Sequence, residues 1–437
     1  MLERFNKHII QNLPFLKESK LLIAISGGID SVVLMHLCHA ANFKFALAHC
    51  NFNLRGKESD ADEDFIVQLA DDLEIEVFVQ NFETETYAKT HKLSTQMAAR
   101  ELRYKWFNDL ATQLKFDYIL TAHHADDDLE TFLINLTRGT GLEGFTGIPI
   151  INNNTVRPLL PFSRLEIEAY ANNNNLKWRE DSTNASTKYL RNKIRHEVIP
   201  VLKDINPQLL QTFSQTQAFL KDSKAIIDDR IDDVSDKVIK DITEFEIQFD
   251  ISEIKKLSHP KAYLYELLKV YGFTEWNDVF NLLDAQSGKQ VFSETHRLIK
   301  DRDYLLLSDL NTEDKQQVIT ISECDDKIKT TAGVLFFDEA DAILGKDANR
   351  IFVDKKKLKF PLTVRHWQEG DYFHPLGMKG KKKLSKYFKD EKMSLLDKEN
   401  TLLLCSGDYI IWVIGKRADS RFKVTDKTKK IIKIELK

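Results

Sequence analysis

The stretch LLIAISGGIDSVVLMHLCHA, residues 21–40, decides the fold. An apolar run of strand type, Leu21 to Ile25, breaks on Ser26-Gly27-Gly28-Ile29-Asp30-Ser31, and apolar residues then resume at helical spacing. Two glycines between a strand and a helix permit backbone conformations and close approach that side chains forbid. Successive N–H groups at the start of a helix make a nest for an anion. A Walker A loop would add a lysine for the β and γ phosphates, and no lysine lies between Lys20 and Lys44. Such a nest suits gripping a pyrophosphate unit while chemistry occurs at the neighbouring phosphorus; the plain alternative is a strand-to-helix turn with no ligand.

The residues around this stretch repeat its strand-then-helix pattern. KFALAH (44–49) precedes the helical ESDADEDFIVQLADDL, IEVFVQ precedes STQMAARELRYKWFNDLATQL, and FDYILTA precedes DDDLETFLINLTR. Strands apolar on both faces, alternating with helices, predict a doubly wound α/β domain with a parallel sheet. Ligands bind beyond the C-terminal ends of such strands. SGGIDS, HCNFNLRG and HHADDD all fall there, so three polar motifs are expected to converge.

A chain of 437 residues exceeds one ordinary core. Three parts are expected: 1–215 as the α/β domain, 216–349 as a mostly helical, acidic middle with a linker, and 350–437 as a small basic α+β domain. The short strands LTVRHW, TLLLC and YIIWVIG mark the last part, with SGD turning a hairpin. The formal net charge of −4 conceals an asymmetry. Residues 351–437 hold 22 basic and 11 acidic side chains, net +11, which leaves 41 basic and 56 acidic, net −15, for residues 1–350. A basic tail on an acidic body predicts a local polyanion-binding surface. Cys38, Cys50, Cys324 and Cys405 lie far apart with no C-x-x-C pair, which disfavours zinc, an iron–sulfur cluster or a redox disulfide. No segment has the apolar length of a membrane span, so the expected partners exclude a membrane and the expected compartment is the cytoplasm.

The second constellation is TAHHADDDLETFLINLTRGTG, with His123, His124, Asp126, Asp127 and Glu130 at a strand end and the first helical turns. Asp127 and Glu130, at i and i+3, share a helix face. Carboxylates near a helix start can simply satisfy the dipole, whereas clustered acids beside a phosphate nest suit Mg²⁺ or an ammonium group. Of the adjacent histidines, one can serve as base or phosphate contact and the other as a structural residue.

SGGIDS resembles the signature of the pyrophosphate-loop ATPases, which transfer AMP to an oxygen of their substrate. With AHCNFNLRG, QMAARELRY, TAHHADDDLET, RGTGLEGFTGIP, RPLL and DSTNASTKYLRNKIRHEVIP following in order, residues 20–200 resemble the tRNA(Ile)-lysidine synthetases. The resemblance resumes in HWQEGDYFHPLGMKGKKKLSKYFKD and YIIWVIGKRADSRF. Phe52 stands where that family often has a second histidine, and Asp128 where glutamine is common.

The resemblance implies a Rossmann-like catalytic domain using ATP and Mg²⁺, with free L-lysine and a CAU-anticodon tRNA(Ile) as partners, and it leaves room for a homodimer. It implies that ATP adenylates the wobble cytidine and that the lysine amine then displaces AMP. Ser26, Gly27, Gly28, Ile29, Asp30 and Ser31 would hold ATP, with Asp30 orienting Mg²⁺ or the loop. Asp127 and Glu130 would recognise the lysine and help deprotonate it; His123 and Arg100 complete the catalytic set, Arg100 offsetting phosphate charge together with Arg103. For tRNA, Lys188, Arg191 and Arg195 lie beside the catalytic half, and Lys381, Lys382, Lys383 and Lys386 lie in the basic tail, with Tyr387 and Phe388 among them as stacking or core residues. The rival readings are another pyrophosphate-loop tRNA enzyme such as a thiolase, and a non-catalytic nucleotide-regulated RNA-binding protein.

Overall fold

The computed structural model describes residues 1–179, 190–243, 246–310, 318–343, 345 and 347–437. By internal contacts the chain divides into Met1–Asp228 and Asp229–Lys437.

In the first unit the helix α1 (Leu2–Asn12) precedes β1 (Lys20–Ala24), α2 (Ile29–Ala40), β2 (Lys44–Asn51), α3 (Lys57–Asp72), β3 (Val77–Asn81), α4 (Thr84–His91), α5 (Thr95–Leu114), β4 (Tyr118–Leu120) and α6 (Ala125–Arg138). A short α7 (Leu142–Phe145), the hairpin β5 (Ile151–Asn152) and β6 (Thr155–Val156), α8 (Arg164–Asn173), α9 (Leu190–Lys193), α10 (Ile199–Ile205) and the long α11 (Leu209–Val238) follow. The sheet order is β3-β2-β1-β4-β6-β5, parallel except for β5 at the edge. The chain winds outward from β1 through β2 to β3 and then crosses back to β4. The switch point therefore lies between β1 and β4, where Ile23 stands level with Leu120.

Strand β1 shows why two-faced apolar runs mean a covered sheet. Leu21 and Ile23 pack with Val32, Val33 and Phe162 on one face, while Leu22 packs with Phe107, Ala111 and Ile119 on the other. All three strand residues are fully buried, each contributing roughly 1.5–3 kcal/mol. This anchors the loop that leaves the strand. Helix α2 begins at Ile29, so Asp30 lies in its first turn.

The second unit opens with an antiparallel sheet of order β7-β8-β11-β10-β9: β7 (Ile239–Ile242), β8 (Ile247–Asp250), β9 (Gln290–Phe292), β10 (His296–Asp301) and β11 (Tyr304–Asp309). Against it lie α12 (Ile251–Lys256), α13 (Pro260–Leu268) and α14 (Trp276–Asn281), closing a core around Val234, Phe249, Leu264 and Leu298. The helical middle expected from the sequence is present and carries, in addition, this sheet. Its first two strands are four residues each, too short to register against the flanking helices.

Two further four-stranded sheets share a core around Trp412. One is β12 (Ile319–Ile321), β16 (Leu362–His366), β19 (Leu402–Ser406) and β20 (Tyr409–Val413); the other is β13 (Lys327–Thr330), β14 (Gly333–Ala340), β21 (Ile431–Leu436) and β15 (Arg350–Asp354). A two-stranded ribbon, β17 (Tyr372–Phe373) with β18 (Lys382–Lys383), leads into α15 (Leu384–Asp390); α16 is Leu395–Asn400. Phe373, Leu384, Tyr387 and Phe388 form a separate cluster, so the two aromatics among the lysines are core residues. Arg297 of β10 pairs with Glu399 at 2.5 Å, and Ile299 and Leu306 pack on Leu396.

Candidate active site

The nest forms from adjacent residues. Gly27 takes a φ of +82°, and a side chain there would meet only ordinary contacts with Phe65 and Ile66, so the backbone conformation and not space requires glycine. Gly28 caps α2. The Ser31 hydroxyl donates to the Gly28 carbonyl at 2.9 Å and lies 3.2 Å from both the Ser26 amide and its hydroxyl. Beneath the loop Ile29 is buried; on its outer side the Arg179 amide donates to the Gly27 carbonyl at 2.9 Å. Side chains thus fix the shape, and the backbone N–H groups at the start of α2 are left to face an anion.

Asp30 sits between Arg164 and His124. Its Oδ2 accepts from Arg164 at 2.6 Å, and Oδ1 lies 3.7 Å from the His124 ring with no hydrogen-bond partner among the described residues. Burial raises its pKa and outweighs the opposing pull of His124 and Arg164. A buried carboxylate oxygen without a partner, at a nest suited to phosphates, fits a phosphate-bound Mg²⁺, which needs only one or two protein carboxylates. Among the described residues no three acidic, histidine or cysteine groups form a cage for a metal ion without the phosphates.

Across the switch point, α6 presents its acids in its first two turns. His124 is buried, with Nε2 3.4 Å from Asp127 and Nδ1 3.8 Å from Asp126, while its backbone N–H donates to Asp127 Oδ2 at 3.1 Å. Glu130 is 1% exposed and accepts from Arg191 Nε at 2.7 Å and Arg195 Nε at 2.5 Å; Arg195 also reaches Asp127 at 3.2 Å. Burial pushes the Asp127 pKa up, but His124, His123 and Arg191 outweigh it, so its carboxyl titrates below the usual range. Asp127 is therefore available as an anion. Asp126 instead braces the neighbouring chain, accepting the Arg164 backbone N–H at 2.8 Å and pairing with Lys203.

His123 is pinned to Thr121 at 3.0 Å, and burial, reinforced by Arg157, Arg191 and Arg100, pulls its pKa down to about 4 against the opposing pull of Asp127. It is a neutral ring at neutral pH, suited to accepting a hydrogen bond. Arg100 is exposed on α5, stacked over Tyr104 at 4.9 Å, and Arg103 lies over Phe52 at 5.2 Å. Phe52 itself stacks on Phe82, which gives the departure at that position a packing role. Asp128, the other departure, accepts the Ile148 N–H at 2.5 Å, and Gly147, with φ +81°, leaves no room for a side chain against Gln217 and Asp128.

Of the residues expected to face tRNA, Arg191 and Arg195 turn their guanidinium groups to the acids of α6, and Lys188 lies outside the described residues. Lys381, Lys383 and Lys386 are exposed; Lys382 pairs with Asp390 at 2.7 Å and lies over the Tyr387 ring. Cys50, the thiol at the ligand edge of the sheet, is pushed up to about 12 by burial, so it is not a thiolate at neutral pH. Arg164, Arg157 and His124 are the polar residues that the sequence reading missed or left structural. A weak signal existed for Arg164, because Ser163 and Glu166 form a capping box that fixes the helix start carrying it.

The PP-loop domain family matches residues 1–202, the TilS substrate binding domain residues 242–310, and the TilS substrate C-terminal domain residues 362–436. A tRNA(Ile)-lysidine synthase of Parabacteroides distasonis is 40% identical over 97% of each chain. The chain belongs to the tRNA(Ile)-lysidine synthase family. Relatives of the same name in Bacteroides thetaiotaomicron and Caldanaerobacter subterraneus are 38% and 31% identical, covering 98% of each chain in the first case and 100% of this chain and 97% of that one in the second. The family match thus runs through both the α/β unit and the basic C-terminal sheets, as the ordered motifs imply. Among the described residues no helix is long and apolar enough to cross a membrane.

Proposed function

We infer that the chain is an ATP-dependent ligase that joins L-lysine to C2 of the wobble cytidine of a CAU-anticodon tRNA(Ile), making lysidine and releasing AMP and pyrophosphate. Two features carry the reading: a phosphate nest with no lysine of its own and the Asp127–Glu130 pair flank one switch point in a chain of this family. In the first step the C2 carbonyl oxygen of cytidine attacks the α-phosphorus of ATP, and the bond to pyrophosphate breaks. The N–H groups of residues 26–31 hold the departing phosphates, and Arg100 offsets charge that develops on them. Mg²⁺ carried with ATP would be held by Asp30 and would neutralise phosphate charge.

In the second step the ε-amine of lysine attacks C2, the C2–O bond breaks, and AMP leaves with that oxygen. The amine must shed a proton to become nucleophilic. Asp127 and Glu130, paired with the guanidiniums beside them, attract the ammonium form, and Asp127 takes the proton as the bond forms. His123, neutral, orients the reacting groups through its ring. The exposed Lys381, Lys383 and Lys386 dock tRNA phosphates, with Lys382 at their edge.

The test mixes the protein with Mg-ATP, labelled L-lysine and a CAU-anticodon tRNA(Ile) transcript. Label in RNA together with AMP, and neither after the wobble cytidine is replaced, is the expected result. AMP release without label in RNA would leave the nucleophile to be sulfur or ammonia and would overturn the lysine reading.

A further inference from the structure

Arg157 is the one arginine among the described residues that is 6% exposed or less, and no carboxylate among them pairs with it. Its terminal nitrogen donates to the Pro149 carbonyl at 2.7 Å, and its Nε is buried with no hydrogen-bond partner among the described residues. Six other guanidiniums in this unit have acids: Arg4 has Glu166, Arg55 and Arg179 have Asp62, Arg164 has Asp30, and Arg191 and Arg195 have Glu130. A charge removed from water with a single carbonyl for company is unfavourable in the empty protein. Burial of that kind is most readily explained if an anion completes it.

The position on the sheet says which anion. Arg157 follows β6 directly, and β6 pairs in parallel with β4, Leu120 beside Val156. Arg157 therefore stands at the ligand edge, one strand beyond the His123–His124 corner and two strands from the nest. It is close enough to His123 to add to the depression of that ring's pKa, as Arg191 does from α9. Along the edge the order is phosphate nest, acid pair, then Arg157. Lysine carries its ε-ammonium and its α-carboxylate at opposite ends of one chain, and the acids, next to the nest, and Arg157, beyond them, offer the complementary signs in that order.

We propose that Arg157 binds the α-carboxylate of the amino acid substrate and so distinguishes an amino acid from a simple diamine. This rests on the lysine-transfer reading above. The Pro149 contact turns the guanidinium's fixed fork, leaving Nε and the remaining nitrogen for two parallel bonds to a carboxylate. Lysine then reaches the adenylated cytidine with its acid end anchored and its ε-amine extended.

The experiment measures kcat/KM for L-lysine against L-lysinamide and 1,5-diaminopentane, in the full-length protein and in Arg157→Ala and Arg157→Lys. Loss of one charge-assisted bidentate contact should reduce the preference for lysine over both analogues by about 10- to 100-fold in Arg157→Ala, with Arg157→Lys intermediate. The ratio removes any general loss of folding or of adenylation. A preference equal to that of the unaltered protein in both variants would overturn the proposal and leave Arg157 as a brace for the 147–150 loop. Failure of the unaltered protein to place lysine in tRNA would overturn the function reading itself, a separate result.

Discussion

The nest after β1 and the acid helix after β4 stand one strand apart and are built in opposite ways. The side-chain bonds among Ser26, Gly28 and Ser31 that shape the nest join residues at most five positions apart, and the nest offers an anion backbone N–H groups. The acids of α6 are held by partners from far along the chain. Glu130 meets Arg191 61 residues away, and Asp127 meets Arg195 68 residues away. Phosphate can be gripped by dipoles that need no counter-charge of their own. Buried carboxylates cannot stay ionised without one, so the fold brings cations to them.

That contrast can be broken experimentally. The largest effect is expected for Asp30→Ala, which leaves Arg164 facing the nest with its carboxylate removed. Pyrophosphate release should fall by about a hundredfold or more, with circular dichroism unchanged; near-normal release would remove Asp30 from the phosphate machinery.

A smaller effect is expected from His123, whose neutral form is held by burial. Its pKa of about 4 in the folded chain lies below the ordinary 6.5. Between these values the unfolded chain binds a proton that the folded chain does not, so this contribution to stability is full above pH 6.5 and is lost as pH falls toward 4. Its size is on the order of 3 kcal/mol over the full range. His123→Gln should flatten that part of the urea-midpoint profile between pH 4 and 6.5; an unaltered profile would show that other groups govern it. The smallest effect is expected at the exposed lysines. The double change Lys383→Ala and Lys386→Ala should weaken tRNA binding about tenfold and lower the dependence of log K on log salt by one to two units. An unchanged slope would place the RNA elsewhere.

The nest was legible because its signal is local: strand, two glycines and a helix start lie within ten residues. The parallel sheet was legible for the same reason, since Leu21, Leu22 and Ile23 are apolar on both faces and only a doubly covered strand requires that. Asp127 and Glu130 could be read from i, i+3 spacing, but the guanidiniums that hold them could not. Arg191 and Arg195 looked like a basic helix face for RNA, because spacing alone does not say which face meets a buried acid. Arg157 was invisible inside RPLL, where only its burial and its missing partner distinguish it. The strands β7 and β8 were missed because four residues between helices carry too little alternation to stand out.

The most direct test of the division between phosphate nest and amine site is a single-turnover reaction of Glu130→Gln with ATP, tRNA and labelled lysine, timing pyrophosphate release and label transfer separately. If the two sites act in separate steps, transfer of lysine slows at least a hundredfold while pyrophosphate release slows far less. Equal slowing of both, or lysine transfer at the normal rate, would contradict it.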